Sequence, residues 1–479
     1  MIVNRRRFLT TLGATSLAGC TTRDPPAPPR VTGPPRVQLP PVLSETTAGG
    51  SRALVVEDHG VPLVSMAIVT GGGHAYEALE DKGLASLSAA LLLEGMDGGD
   101  QVAQLERYGE LGTTPESVVS ARRTVLYCTV HRDDAPAALR LLADTLHRAT
   151  VAEETFERLR RKQRDTLDYL RGAPDHIAGL GVLQGTLGVQ HPVSTMSVGT
   201  APALASLSVA KVRDWYAQRF RLDDTTFALS GDLRIEDARS WIDAAVQQWP
   251  SATGERPENP IVSTPPPPNA PPNVLIPWPG VPQGIMAYGG FHAPRFHPDE
   301  PAQTVARSLV GSFMHHELRT ALRTSYGLQD REYDTTHGSI RLHWAKLEND
   351  SVGTAVERLR ERLGKLQAEL SISDEAVDAT RFSMMVGMMN DFHGSEAALV
   401  QLLELADVDG TPDAFTQRLD GLRGLDAEIV TFTLRQLFDP ETLALSVVAV
   451  PDGIETVRSN LPSGSVVDRS PPELLGVPG

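Results

Sequence analysis

The feature that most restricts how this chain can fold is an internal echo across a proline-rich divide. Pro265-Pro266-Pro267-Pro268 and Pro271-Pro272 separate two stretches of nearly equal length. Gly60-Val61-Pro62 in the first recurs as Gly280-Val281-Pro282 in the second, and Met66-Ala67 recurs as Met286-Ala287 at the same spacing. Near the end of each stretch, Thr226-Phe227-Ala228-Leu229-Ser230 is matched by Thr442-Leu443-Ala444-Leu445-Ser446. Between these marks each half reads as a strand, a helix, a second strand (Thr124–Val130; Ser339–Trp344) and a long amphipathic helix (Pro136–Arg148; Val352–Leu370). Repeated order of this kind predicts two similar α+β domains related by duplication. The expected division is a first domain over 49–255, a linker over 256–273, a second domain over 274–465 and a tail over 466–479.

The first twenty residues read as an export signal. Arg5-Arg6-Arg7 precede Phe8-Leu9, as in twin-arginine signals, and the apolar run that follows is too short to span a bilayer. Leu17-Ala18-Gly19-Cys20 ends it as a lipoprotein cleavage site, with Cys20 the lipid attachment point. Residues 21–48, rich in proline from Pro25 to Pro41, read as a stiff tether. The expected location is lipid-anchored and facing the periplasm. Thr21 after the cysteine favours the outer membrane over the inner.

A net charge of −16 argues against a nucleic-acid partner. Only Cys128 remains besides Cys20, in the apolar run Thr124–Val130, so no disulfide or cysteine metal site is expected. No Gly-x-Ser-x-Gly elbow and no P-loop occur.

Several short motifs follow one another in order: Val61-Pro62-Leu63-Val64, a glycine-rich turn, Gly83-Leu84-Ala85 opening a helix to Leu93-Glu94-Gly95, His191-Pro192, Gly199-Thr200, and Gly231-Asp232. With the duplication, this layout resembles the pitrilysin/insulinase family of zinc metallopeptidases in its two-domain form, over about Ala53 to Gly453. The resemblance implies two domains, each a mainly antiparallel sheet packed with helices, forming one half of a clamshell that encloses extended peptides. Active members carry His-x-x-Glu-His on the helix after Gly-Leu-Ala, where two imidazoles one turn apart bind zinc and the glutamate activates water. Here the helix over 83–95 presents Ser86 and Ala90 at the histidine positions and Ala89 at the general base. Thr166 stands near the third ligand position. The resemblance therefore implies no catalytic residue, no metal and no cofactor in this chain, with zinc only in a partner.

Family pairs divide the labour, one chain holding zinc and the other offering an Arg and a Tyr to the substrate. Arg323 matches that arginine and Asp330 falls where the tyrosine is expected, leaving Tyr326 or Tyr333 as substitutes. Other groups weighed as ligands are His315-His316-Glu317, His337 with His343 on or beside a strand, and His74 with its echo His292. The expected function is a non-catalytic homologue, anchored in the periplasm, that pairs with a zinc-bearing peptidase subunit around peptides or unfolded proteins. A free-standing peptide-binding or scaffold lipoprotein is the alternative, and a hydrolase with a relocated site is a third.

Overall fold

A computed structural model describes residues 35–47, 49–249, 273–321, 327–369, 372–440, 443–462 and 464–475. Cys20, Arg323 and Tyr326 lie outside them, as does the rest of the signal.

The first domain contains strands β1 (Leu43–Thr46), β2 (Arg52–Glu57), β3 (Leu63–Thr70), β4 (Glu116–Val119), β5 (Thr124–His131) and β6 (Thr226–Gly231). Its helices are α1 (Leu84–Leu92), α2 (Gln101–Glu110), α3 (Ala135–His147), α4 (Glu153–Arg171), α5 (Pro174–Leu187), α6 (Ala201–Ser206), α7 (Val209–Arg219) and α8 (Ile235–Ala245). The second repeats the plan with β7 (Asn273–Pro277), β8 (Gly284–His292), β9 (Gln329–Asp334), β10 (Ser339–Leu347), β11 (Ala444–Ala449) and β12 (Val466–Asp468). Its helices are α9 (Glu300–His316), α10 (Val352–Glu369), α11 (Asp374–Asn390), α12 (Ser395–Asp407), α13 (Ala414–Arg423), α14 (Ala427–Leu437), α15 (Pro451–Ser459) and α16 (Pro471–Leu474).

Among the described residues there are two six-stranded sheets, ordered β1-β2-β6-β3-β5-β4 and β12-β7-β11-β8-β10-β9. Their matching order is the duplication made visible. Strand pairing is antiparallel except for β2 with β6, and β7 with β11 and β12. The sheets are mainly antiparallel and packed with helices, as the resemblance implied. Two boundaries differ from the expected ones. β1 falls in the segment read as tether and β12 in the segment read as tail, because each adds an outer strand, to β2 and β7 respectively. No helix of the described residues is long and apolar enough to cross a membrane.

The central strands are buried on both faces, so they read as continuous apolar runs rather than clean alternation. What covers the second face was not foreseen. Met66, Ile68, Leu126 and Leu229 point into the first domain's own helical core, whereas Leu54, Val56, Ala67, Val69 and Ala228 pack against Leu399, Leu402, Leu405 and Ala406 of α12. Reciprocally, α5 from the first domain packs on β8, β10 and β11 of the second sheet. Ile177, Leu180 and Leu183 share a core with Ile276, Ile285, Ala287, Leu342 and Val448. Each domain thus lends one helix to the other's sheet.

The composition of α5 suits that position. It is buried nearly all round, and a Cβ on Gly181 would lie 2.2 Å from Ser446 Oγ, so only glycine allows the helix this close to β11. Polar contacts repeat the exchange: Ser65 Oγ bonds Ser395 Oγ at 2.9 Å, and Arg331 bonds the Asp175 carboxylate at 2.9 Å. Cys128 is buried in the first core, where burial pushes its thiol up to about 12.

Candidate functional site

The helix that the resemblance aligns with the zinc motif is α1. Gly83 precedes it in a left-handed conformation (φ 98°), and a Cβ there would lie 2.7 Å from Val198 O. The first turn is held from outside the helix: Glu77 Oε1 accepts from the N–H groups of Gly83 (3.1 Å) and Ala85 (2.6 Å). A carboxylate suits the positive end of a helix dipole. Glu77 Oε2 lies 3.5 Å from Lys82 Nζ, which also donates to His74 O at 2.8 Å. Both side chains are almost fully buried. Burial pushes the Glu77 carboxyl up to about 7 against the pull of Lys82 and the two amides, and burial lowers Lys82.

The scaffold of the site is therefore built, and its ligand positions hold other groups. The Ser86 hydroxyl donates to Ser197 O at 2.8 Å. Ala89 is buried, and its carbonyl accepts from Ser117 Oγ of β4. Thr166 is exposed on α4 and donates back to Lys162 O at 3.0 Å. One turn before it, Gln163 Nε2 bonds Gly83 O at 2.9 Å and Val198 O at 2.7 Å, tying α4 to the start of α1. An alanine has no donor atom, and both hydroxyls are committed to backbone carbonyls. These residues do not fit a zinc ion. No group of three or more His, Cys, Asp or Glu among the described residues is placed to hold a metal.

Asp330 sits on β9, where His343 Nδ1 is 2.5 Å away and Arg307 donates at 3.0 Å. It is thus committed to its own sheet and α9. His343 lies on β10, whereas His337 is in the turn before that strand, so the two do not share a strand face. His315 accepts from Leu328 N at 3.4 Å, and Glu317 pairs with Arg362 on α10. His315 and Glu317 therefore point to different partners. Tyr333 lies over Gly179 of α5, within 3.4 Å of Arg331 Nη1.

His74 lies just beyond β3 and His292 ends the equivalent strand, β8. Enclosure keeps both neutral, lowering protonation to about 4 for His74, beside Lys82, and to about 3 for His292, beside Arg341 and Arg307. An unfolded imidazole titrates near 6.5, so the stabilisation present above that pH is lost as pH falls through the folded values. His292→Leu is expected to lose less stability than the wild type between about pH 7 and pH 4, read as the urea midpoint. Equal losses would show that this ring does not drive acid unfolding.

Sequence reading missed the open space between the domains. A cleft of about 1090 Å³ runs between β4 and β9, the last strands of their sheets, with α12 along it. Glu116, Val118 and Tyr127 line it from one side, Asp334 and Arg341 from the other, and Val400 from α12. A smaller pocket of about 240 Å³ adjoins Ser197, the residue bonded by Ser86, and is lined by His74, His176, Tyr333 and Asp334 among others. Tyr333 and Asp334 come from β9, His176 from α5 and His74 from the segment after β3, and no linear spacing joins them.

Two family profiles match the chain: "Insulinase (Peptidase family M16)" over residues 52–178 and "Peptidase M16 inactive domain" over 206–384. Among curated proteins no sequence match is found. Solved structures share the fold. A peptidase M16 inactive domain from Pseudomonas fluorescens is 18% identical, with TM-score 0.74, covering 85% of this chain and 98% of that one. A protease from Helicobacter pylori is 14% identical, with TM-score 0.74, covering 86% and 100%. The periplasmic protease PqqL from Escherichia coli is 12% identical, with TM-score 0.68, covering 89% of this chain and 51% of that longer one.

Proposed function

Because this chain belongs to the insulinase (M16) peptidase family as an inactive homologue, we propose that it binds extended peptides without cutting them and completes a chamber with a zinc-bearing homologue. The observation that carries this reading is the cleft bounded by two terminal strands. An unpaired strand edge offers a row of N–H and C=O groups to which an extended segment can add, with side-chain pockets supplying selectivity. β4 lies against α1, so a peptide on that edge passes the helix whose ligands have been replaced. The chain spans about half of PqqL, a protease of that fold, which supports a second half supplied by another chain. The signal at residues 1–20 and Cys20 support export and a lipid anchor facing the periplasm.

Asp330 favours a second reading, a free-standing peptide-binding lipoprotein, since its pairs with His343 and Arg307 withdraw it from substrate support. Purification of the solubilised full-length protein from its native cells separates the two. A co-purifying chain with His-x-x-Glu-His, bringing zinc with it, is the expected result. A monomer with no peptidase homologue attached would overturn the pairing.

A further inference from the structure

The cleft and the small pocket share Asp334, the last residue of β9. Its carboxylate has no hydrogen-bond or ion-pair partner among the described residues. It is open to solvent but walled by the cleft, and this enclosure, with Asp407 and Glu332 close by, pushes it up to about 6 against the opposing charge of Arg122. Arg122 itself is engaged by the carbonyls of Asp407 and Thr335, and Arg341 by Glu332, so neither neutralises Asp334 by direct pairing.

The rest of the pocket is of two kinds. Leu170, Leu180, Leu183, Val193 and Met196 give it a hydrocarbon wall. Its polar lining is His176, Thr195, Ser197, Tyr333 and the enclosed His74 imidazole, and that imidazole has no hydrogen-bond partner among the described residues. Being neutral, it offers a lone pair and adds no positive charge. An apolar wall, an unpaired carboxylate and a neutral acceptor together match an alkyl stem that ends in a cation.

We propose that this pocket is a specificity site for a lysine or arginine side chain of a peptide lying in the cleft, its stem on the leucine wall and its cation between Asp334 and His74. The inference rests on the reading of the cleft as a peptide site. It adds a selectivity that the zinc helix and its replaced ligands do not provide.

The test uses the full chain and two fluorescein-labelled unstructured peptides, identical except for one lysine replaced by norleucine, with binding read by anisotropy. The lysine peptide is expected to bind about tenfold more tightly, the scale of one charged hydrogen bond. Asp334→Asn is expected to remove that difference. Asp334→Glu, which keeps the charge, is expected to retain a preference, separating loss of recognition from loss of fold. Equal binding of the two peptides by the wild type, or a preference that survives Asp334→Asn, would overturn the pocket while leaving the cleft. Binding of neither peptide would overturn both.

Discussion

Leu402→Ala, a change in the second domain, is expected to destabilise the first domain as much as its own. Leu402 is fully buried on α12, against Val56, Ala67 and neighbouring residues of the first sheet. Truncating a buried leucine costs about 2–5 kcal/mol, the transfer term plus the cavity left behind. Because α12 covers the first sheet and α5 covers the second, separating the domains wets an apolar face of both sheets at once. Hydrogen exchange checks this: amides of β3 and β6 are expected to lose protection by the same free energy as those of β8 and β11. Wild-type protection in the first sheet would mean that the exchanged helix does not couple the domains.

Lys82→Met is expected to cost about 3–5 kcal/mol, because it leaves Glu77 as an uncompensated charge among buried groups. The loss carries a sign in pH. Burial already holds the Glu77 carboxyl up at about 7, and removal of Lys82, which pulls it down, raises it further. A carboxyl raised above its unfolded value is stabilising to the folded state when protonated, so stability is present at low pH and lost as pH rises. The deficit of Lys82→Met is therefore expected to be larger at about pH 8 than at about pH 5 in urea titrations. Adding Glu77→Gln keeps an acceptor for the N–H groups of Gly83 and Ala85 while removing the charge. The double variant is expected to recover part of the loss and to show a flatter pH response. A single variant with the same deficit at both pH values would mean that Glu77 is not the charge left uncompensated.

The duplication was legible because the echoes mark the same strands: Met66 and Met286 lie on β3 and β8, Leu229 and Leu445 on β6 and β11. The degenerate helix was legible because Gly83-Leu84-Ala85 fixes its start, and the spacing then identifies Ser86, Ala89 and Ala90. The helix exchange was not legible. Periodicity reports how much of a helix is buried, not which sheet buries it, and α5 is apolar all round. The same limit hid the cleft. Asp334 looks like an ordinary exposed strand residue until β9 is placed across from β4, and His74 looks like a loop residue until the fold sets it in one pocket with Leu180 and Tyr333. Edge strands were hidden too, since β1 and β12 are too short to stand out from a proline-rich tether and a tail.

The measurement that tests the central claim most directly is mass spectrometry of an unstructured peptide incubated with the purified protein and added zinc, with bound peptide and protein-held zinc quantified together. A scaffold retained for binding, with Ser86, Ala89 and Ala90 in place of the metal ligands and base, predicts peptide that is bound but intact and protein that retains no zinc. Cleaved peptide together with zinc retained by this chain alone would contradict it.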